Sequence, residues 1–121
     1  MGNEKLGVIV KAISLMEYTM RITSNRKRYP SKYITLVKRI QNRCMDIYES
    51  LMQANRLSKE SQLDERLLLQ KKAITFCDQL SCYIELSLRM NIVGSNTANY
   101  WQKKVNDVLY MTIAWNKTEK K

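Results

Sequence analysis

Histidine is absent from this chain, and with it the commonest general base and the usual partner of a nucleophilic serine or cysteine. Three glycines and a single proline, Pro30, serve 121 residues. Sandwiches and doubly wound sheets need turn residues every few positions, so this scarcity excludes them and leaves a few long elements. There is no GxGxxG and no GxxxxGK[ST] run, and three glycines do not build a phosphate-cradling loop. No apolar run approaches the roughly eighteen residues of a spanning helix. The longest near the start, Leu6 to Val10, is closed by Lys11, with Glu4 and Lys5 ahead of it and no small-residue cleavage site behind. A cytoplasmic protein without a membrane partner is the expectation.

The three cysteines, Cys44, Cys77 and Cys82, are odd in number and form no CxxC. Without histidine, a cysteine-based zinc site lacks its fourth ligand, so all three are read as buried, reduced thiols and no metal is expected. Carboxylates could still pair, as Asp64 with Glu65 or Glu17 with Asp46 across helices. The Glu-x-x-His motifs of a di-metal bundle are missing, however. Asp78 and Glu85, seven apart, are better matched to neighbouring Lys or Arg. The expectation is a chain with no catalytic residues and no cofactor.

What the sequence does have is helical periodicity. Leu6, Ile9, Ile13, Met16 and Met20 form a stripe in the first segment. In the second, Leu36, Val37, Ile40, Cys44, Ile47, Tyr48 and Leu51 share a face, behind Pro30 and Ser31 as a helix start. A polar break, Asn55 to Gln62, offers Ser58 or Ser61 as caps. The third stripe is Leu67, Ile74, Cys77, Leu80, Ile84 and Leu88. Leu69, Ala73, Phe76, Tyr83 and Leu86 widen it, as either a more central helix or a subunit face would require. Gly94 and Ser95 separate it from a fourth stripe of Trp101, Val105, Val108, Thr112 and Trp115, flanked by Leu109 and Ile113. This predicts an all-α protein, a single antiparallel four-helix bundle spanning 1–121. Its helices fall at about 4–24, 31–54, 61–92 and 96–116, and it is expected to assemble into a homo-oligomer.

Charge is unevenly spread. Between Tyr18 and Met45 stand eight bases, Arg21, Arg26, Lys27, Arg28, Lys32, Lys38, Arg39 and Arg43, and no acid; they supply +8 of the formal +10. Such a localised excess is the footprint of a polyanion-binding surface, most often for RNA or DNA. The alternatives are a solvated face or a docking surface for an acidic protein. Tyr29 and Tyr33, among the bases, are candidates for stacking on unpaired nucleobases or for packing at the bundle end. Lys103, Lys104, Lys117, Lys120 and Lys121 form a weaker cluster, the last three read as a mobile tail.

The run from Tyr29 through Pro30, Thr35, Leu36, Lys38, Arg39, Ile40 and Gln41 to Asn42 resembles the opening of the second helix in a family of small bacterial four-helix-bundle proteins. Further likeness lies in Ile47, Glu49 and Leu51 ahead of Ala54 and Asn55, and in Arg66, Leu69, Gln70, Lys71 and Ala73. Asp107, Val108, Ile113 and Trp115 are similar to the family's ending, with Ala114 where a glycine is usual. The likeness spans roughly residues 26–117; the first helix lies outside it. The family includes proteins encoded within ribosomal RNA intervening sequences and the accessory variability determinants of diversity-generating retroelements. Ala54, Asn55 and Trp115 resemble the second branch. The resemblance implies a basic homopentamer that binds a reverse transcriptase and its template RNA or DNA. Its basic surface would include Arg26, Lys38, Arg39 and Arg43, and no catalytic residue is implied.

Overall fold

The computed structural model describes the backbone of residues 2–120 and the side chains of residues 7–120. Among these the chain is all-helical: α1 (Gly2–Thr23), a single 3-10 turn (Ser31–Tyr33), α2 (Ile34–Arg56), α3 (Leu63–Arg89) and α4 (Ser95–Lys120), with no strand. Each helix packs on two others, α1 on α2 and α4, and α3 on α2 and α4. The seams can be read pair by pair. Along α1 and α4, Gly7 lies against Met111, Lys11 pairs with Asp107 at 3.8 Å, Ser14 with Lys104 at 2.9 Å, and Thr19 with Trp101 at 2.9 Å. Along α3 and α4, Arg66 meets Glu119, Gln70 meets Asn116 and Ser81 meets Gln102.

The stripe of α4 is buried as the periodicity predicts, at Trp101, Val105, Val108, Thr112 and Trp115, and so is that of α2 at Val37, Ile40, Cys44, Ile47 and Leu51, with Leu36 and Tyr48 half-buried at its side. Each fully buried large aliphatic contributes about 1.5–3 kcal/mol. The α1 stripe is displaced. Its core line is Val8, Ala12, Leu15, Thr19 and Ile22, while Ile13 is 46% exposed. Ile9, Met16 and Met20 are half-buried, and Leu6 lies outside the described side chains. α1 is apolar over most of its circumference, so period alone does not select a face. The buried line is the one that includes Thr19, whose hydroxyl accepts from the buried Trp101 indole N–H. A polar residue on the core face has no apolar signature.

The breadth of α3 has a simple cause, since it faces a neighbour on each flank. Phe76 lies beneath the Arg43 guanidinium of α2, while Ser81 and the Leu67 carbonyl meet Gln102 and Asn116 of α4. Leu69, Phe76 and Tyr83 therefore pack partly buried against the core, leaving Leu68 and Leu86 exposed. The central line of α3 begins with Arg66 and Gln70, both buried.

Those two belong to a polar network that locks the ends of three helices. Glu119 accepts from Arg66 Nη2 at 2.5 Å, Arg66 Nε at 3.2 Å, Gln70 Nε2 at 2.9 Å and Trp115 Nε1 at 2.7 Å. The remaining Arg66 nitrogen donates to the carbonyls of Ala54 and Leu57 at the end of α2. Burial pushes the Glu119 carboxyl up, but these hydrogen bonds and the guanidinium charge outweigh it and hold its pKa below the ordinary carboxylate value. The segment after Trp115 is thus not a mobile tail: α4 continues to Lys120 with Asn116 and Glu119 buried, and only Lys121 lies outside the described residues.

The helix ends differ from expectation for local reasons. Ser58 and Gln62 close a turn of their own, the Gln62 N–H donating to the Ser58 carbonyl and the Ser58 N–H to Gln62 Oε1, both at 2.9 Å. No serine therefore caps α3, which starts after Gln62. α3 stops at Arg89 because Asn91 adopts φ 60°, with the Ile92 N–H reaching the Ser87 carbonyl at 2.9 Å and the Asn91 N–H reaching that of Leu88 at 3.0 Å. This left-handed closure caps the last carbonyls, and asparagine tolerates it better than most residues. Gly94 serves the next helix instead, its carbonyl accepting from Ala98 at 3.0 Å.

Candidate nucleic-acid interface

The basic residues gather around the linker between α1 and α2. Arg28 crosses to α4, donating from Nη1 to the Thr97 hydroxyl at 3.0 Å, and Arg26 donates to Ser31 at 3.2 Å. Gln41 of α2 donates to Thr23 at 2.9 Å. These bonds place the end of α1, the start of α2 and the start of α4 at one end of the bundle. Lys32 lies with its ammonium 5.2 Å from the Tyr33 ring centroid. Lys27, Lys38 and Arg39 are exposed, the last two in the first two turns of α2.

The acid-free stretch is closed on each side by an acid that pairs with the base nearest to it. Arg21 meets Glu17 at 3.3 Å, an exposed i,i+4 contact, and Arg43 meets Asp46 at 2.5 Å. Arg43 is also half-buried over Phe76, with its Nε enclosed and without a partner, so it is held against α3. Of the eight bases, the other six, Arg26, Lys27, Arg28, Lys32, Lys38 and Arg39, have no acid within 4.0 Å among the described residues. Their charge is uncompensated locally. Glu17 and Asp46, considered from sequence as a carboxylate pair, each serve an arginine of their own helix, and Glu85 pairs with Arg89 at 3.0 Å, as expected of it.

The tyrosines are used differently from one another. Tyr29 is buried, its hydroxyl donating to Ser87 at 2.9 Å, so packing is its role. Burial pushes its phenol up against the opposing effects of that bond and of Arg28. The exposed ring at this end is Tyr100, 52% accessible and edge-on to Tyr18 with centroids 5.0 Å apart. Lys104 sits 5.1 Å from the Tyr100 centroid and 5.7 Å from that of Tyr18, steadied by its bond to Ser14. The Tyr18 phenol is raised by burial, lowered by the charge of Arg28 and raised again by Tyr100. Sequence reading noted Lys104 but missed Tyr18 and Tyr100. The available signal was that Tyr100 stands one residue off the buried α4 line, next to Trp101 and three residues ahead of a lysine pair. Lys117 and Lys120 lie more than a dozen residues further along α4, roughly 20 Å away, and do not join this surface.

Surface hollows indent this end, among them an open one of about 620 Å³ beside Glu17, Met20, Arg21, Ser24 and Asn25 and two smaller ones. One, about 240 Å³, is lined by Thr23, Arg26, Ser31 and Gln41 among others; the second, about 300 Å³, by Tyr18, Arg21, Ile22, Asn25 and Arg28. Among the described residues no three His, Cys, Asp or Glu side chains cluster to hold a metal, and no helix is long and apolar enough to cross a membrane. Cys44 and Cys77 are buried, their thiols pushed up to about 11 and about 12 mainly by burial, whereas Cys82 is exposed, contrary to expectation. No family model, no curated protein and no solved structure matches the chain.

Proposed function

We propose that this chain is a non-enzymatic nucleic-acid-binding scaffold, acting as the accessory protein of a diversity-generating retroelement. It would hold template RNA or DNA on its basic end while a reverse transcriptase copies it. The observation that carries the nucleic-acid reading is the set of six bases with no acidic partner among the described residues, gathered on one linker and the first turns of α2. Such a set neutralises phosphates and releases counterions, with little demand on sequence. The retroelement and its polymerase rest on the resemblance of residues 26–117. The same resemblance supports a homo-oligomer, a pentamer, while the short links between the four stripes support an antiparallel bundle. The antiparallel arrangement is further supported by the seam pairs of α1 with α4, whose numbers rise on one helix as they fall on the other.

The test is fluorescence anisotropy of a labelled structured RNA titrated across salt, with Lys38→Glu/Arg39→Glu beside the wild type. Both side chains are exposed, so the helical circular-dichroism signal should stay unchanged. Wild-type affinity should fall steeply as salt rises, each phosphate contact adding about 0.7–0.9 to the logarithmic slope. The variant should lose most binding and show a shallower slope. Equal binding by the two proteins at physiological salt would remove this surface from the assignment.

A further inference from the structure

The hollow between α1 and the linker has features that phosphate neutralisation alone does not need. Its wall is an aromatic ring, Tyr18, and its rim carries two guanidiniums, Arg21 and Arg28, with the Asn25 amide beside them. The ring is held in place on three sides. Tyr100 packs edge-on at 5.0 Å, Trp101 at 6.4 Å, and the Lys104 ammonium lies over both tyrosines. Arg28 is fixed by Thr97, so the charge too is positioned before any ligand arrives. Only Arg21 is loosely committed, to Glu17 through an exposed contact that a phosphate would readily displace. Next to the hollow the Tyr100 ring is open to solvent.

Resting on the nucleic-acid reading above, we propose that Tyr18, Tyr100, Arg21, Arg28 and Lys104 form a platform for unpaired nucleotides, giving the protein a preference for single-stranded over duplex nucleic acid. A base would stack on the exposed Tyr100 ring, with the adjoining phosphates taken by Arg21, Arg28 and Lys104. Every base has a π-face, so such stacking discriminates paired from unpaired strands and tolerates sequence. A duplex keeps its bases stacked on one another and offers this platform only phosphates. At about 300 Å³ the hollow beside that ring is at the small end of ligand sites, in keeping with the sugar and phosphate of one nucleotide rather than a strand of them. The hollow of about 240 Å³ offers no such surface, because its tyrosine, Tyr29, is buried and tied to Ser87, and the one beside Glu17 and Met20 has no aromatic ring.

The experiment compares Tyr100→Ala and Tyr100→Trp with the wild type, all folded by circular dichroism, against a fluorescein-labelled 20-nucleotide oligouridine and a 20-base-pair RNA duplex. Tyr100→Ala should weaken oligouridine binding about tenfold, within the range that loss of one stacked base produces. It should leave duplex affinity and the salt slope where they were, and Tyr100→Trp should restore binding. Equal weakening toward both probes, or no weakening toward oligouridine, would overturn the platform while leaving the basic surface standing. If neither probe binds at low salt, the nucleic-acid reading falls and the platform falls with it.

Discussion

At the scale of the residue, similar side chains in this chain do different work because of what surrounds them. Tyr29 is buried and Tyr100 exposed, and that difference decides which can meet a ligand. The cysteines divide in the same way. Cys44 and Cys77 have thiols raised to about 11 and about 12 and are closed off by the core, whereas Cys82 faces solvent on α3. Thiolate is the reactive form and access limits the reagent. A thiol-reactive chromophore at pH 8 should therefore label one cysteine per native chain, and all three only in denaturant. Mass spectrometry of the native adduct should place it on Cys82. Rapid labelling of Cys44 or Cys77 in the native protein would contradict the packing.

At the scale of the element, the Arg66–Glu119 pair decides how α4 ends. With side chains 2% and 3% exposed it is a buried ion pair, and its remaining polar atoms are occupied by Gln70, Trp115 and the end of α2. Removing one partner strands a buried charge, so Glu119→Ala should cost about 3–5 kcal/mol. The loss should appear as a lower urea midpoint and a frayed last turn of α4. Replacing both partners with apolar residues should recover much of it. The pair also predicts a pH dependence. Glu119 titrates lower in the folded protein than in the unfolded chain, so the unfolded chain binds the extra proton. The contribution is fully present above the ordinary carboxylate value of 4.5 and is lost as pH falls through the folded value. Urea midpoints measured downward from pH 5 should fall less steeply in Glu119→Gln than in the wild type.

At the scale of the whole molecule, exposed apolar residues occur at the basic end, as Ile34 and Tyr100, and also away from it. The uncompensated bases occupy the linker and the start of α2, while Leu68 and Leu86 lie exposed on α3, five helical turns apart along one outer line. That line suits contact with a second copy through α3 while the basic end stays open. Sedimentation velocity at tens of micromolar should thus find an assembly well above the 14.3 kDa of one chain, and Leu68→Glu/Leu86→Glu should reduce it toward the monomer. A wild-type chain sedimenting at 14.3 kDa would remove the oligomer from the proposal.

Much of this was legible in the residues alone, and it is the part that depends on near neighbours in the chain. The scarcity of glycine and proline and the stripes of α2 and α4 determined a fold of four long helices, because helical periodicity is a property of local spacing. The acid-free basic stretch was equally plain. Even the neutralisation of its two outer members follows i,i+3 and i,i+4 rules, with Glu17 and Asp46 just outside it. Only the tertiary structure chose the buried face of α1, gave Arg66 and Glu119 to each other, and set Tyr100 against the Tyr18 ring of the hollow that Arg28 lines. Thr19 and Trp101 stand 82 residues apart, Arg66 and Glu119 stand 53 apart, and Arg28 and Thr97 stand 69 apart. No local pattern records such pairs, because a polar group becomes acceptable in a core only when the packing of distant helices delivers its partner.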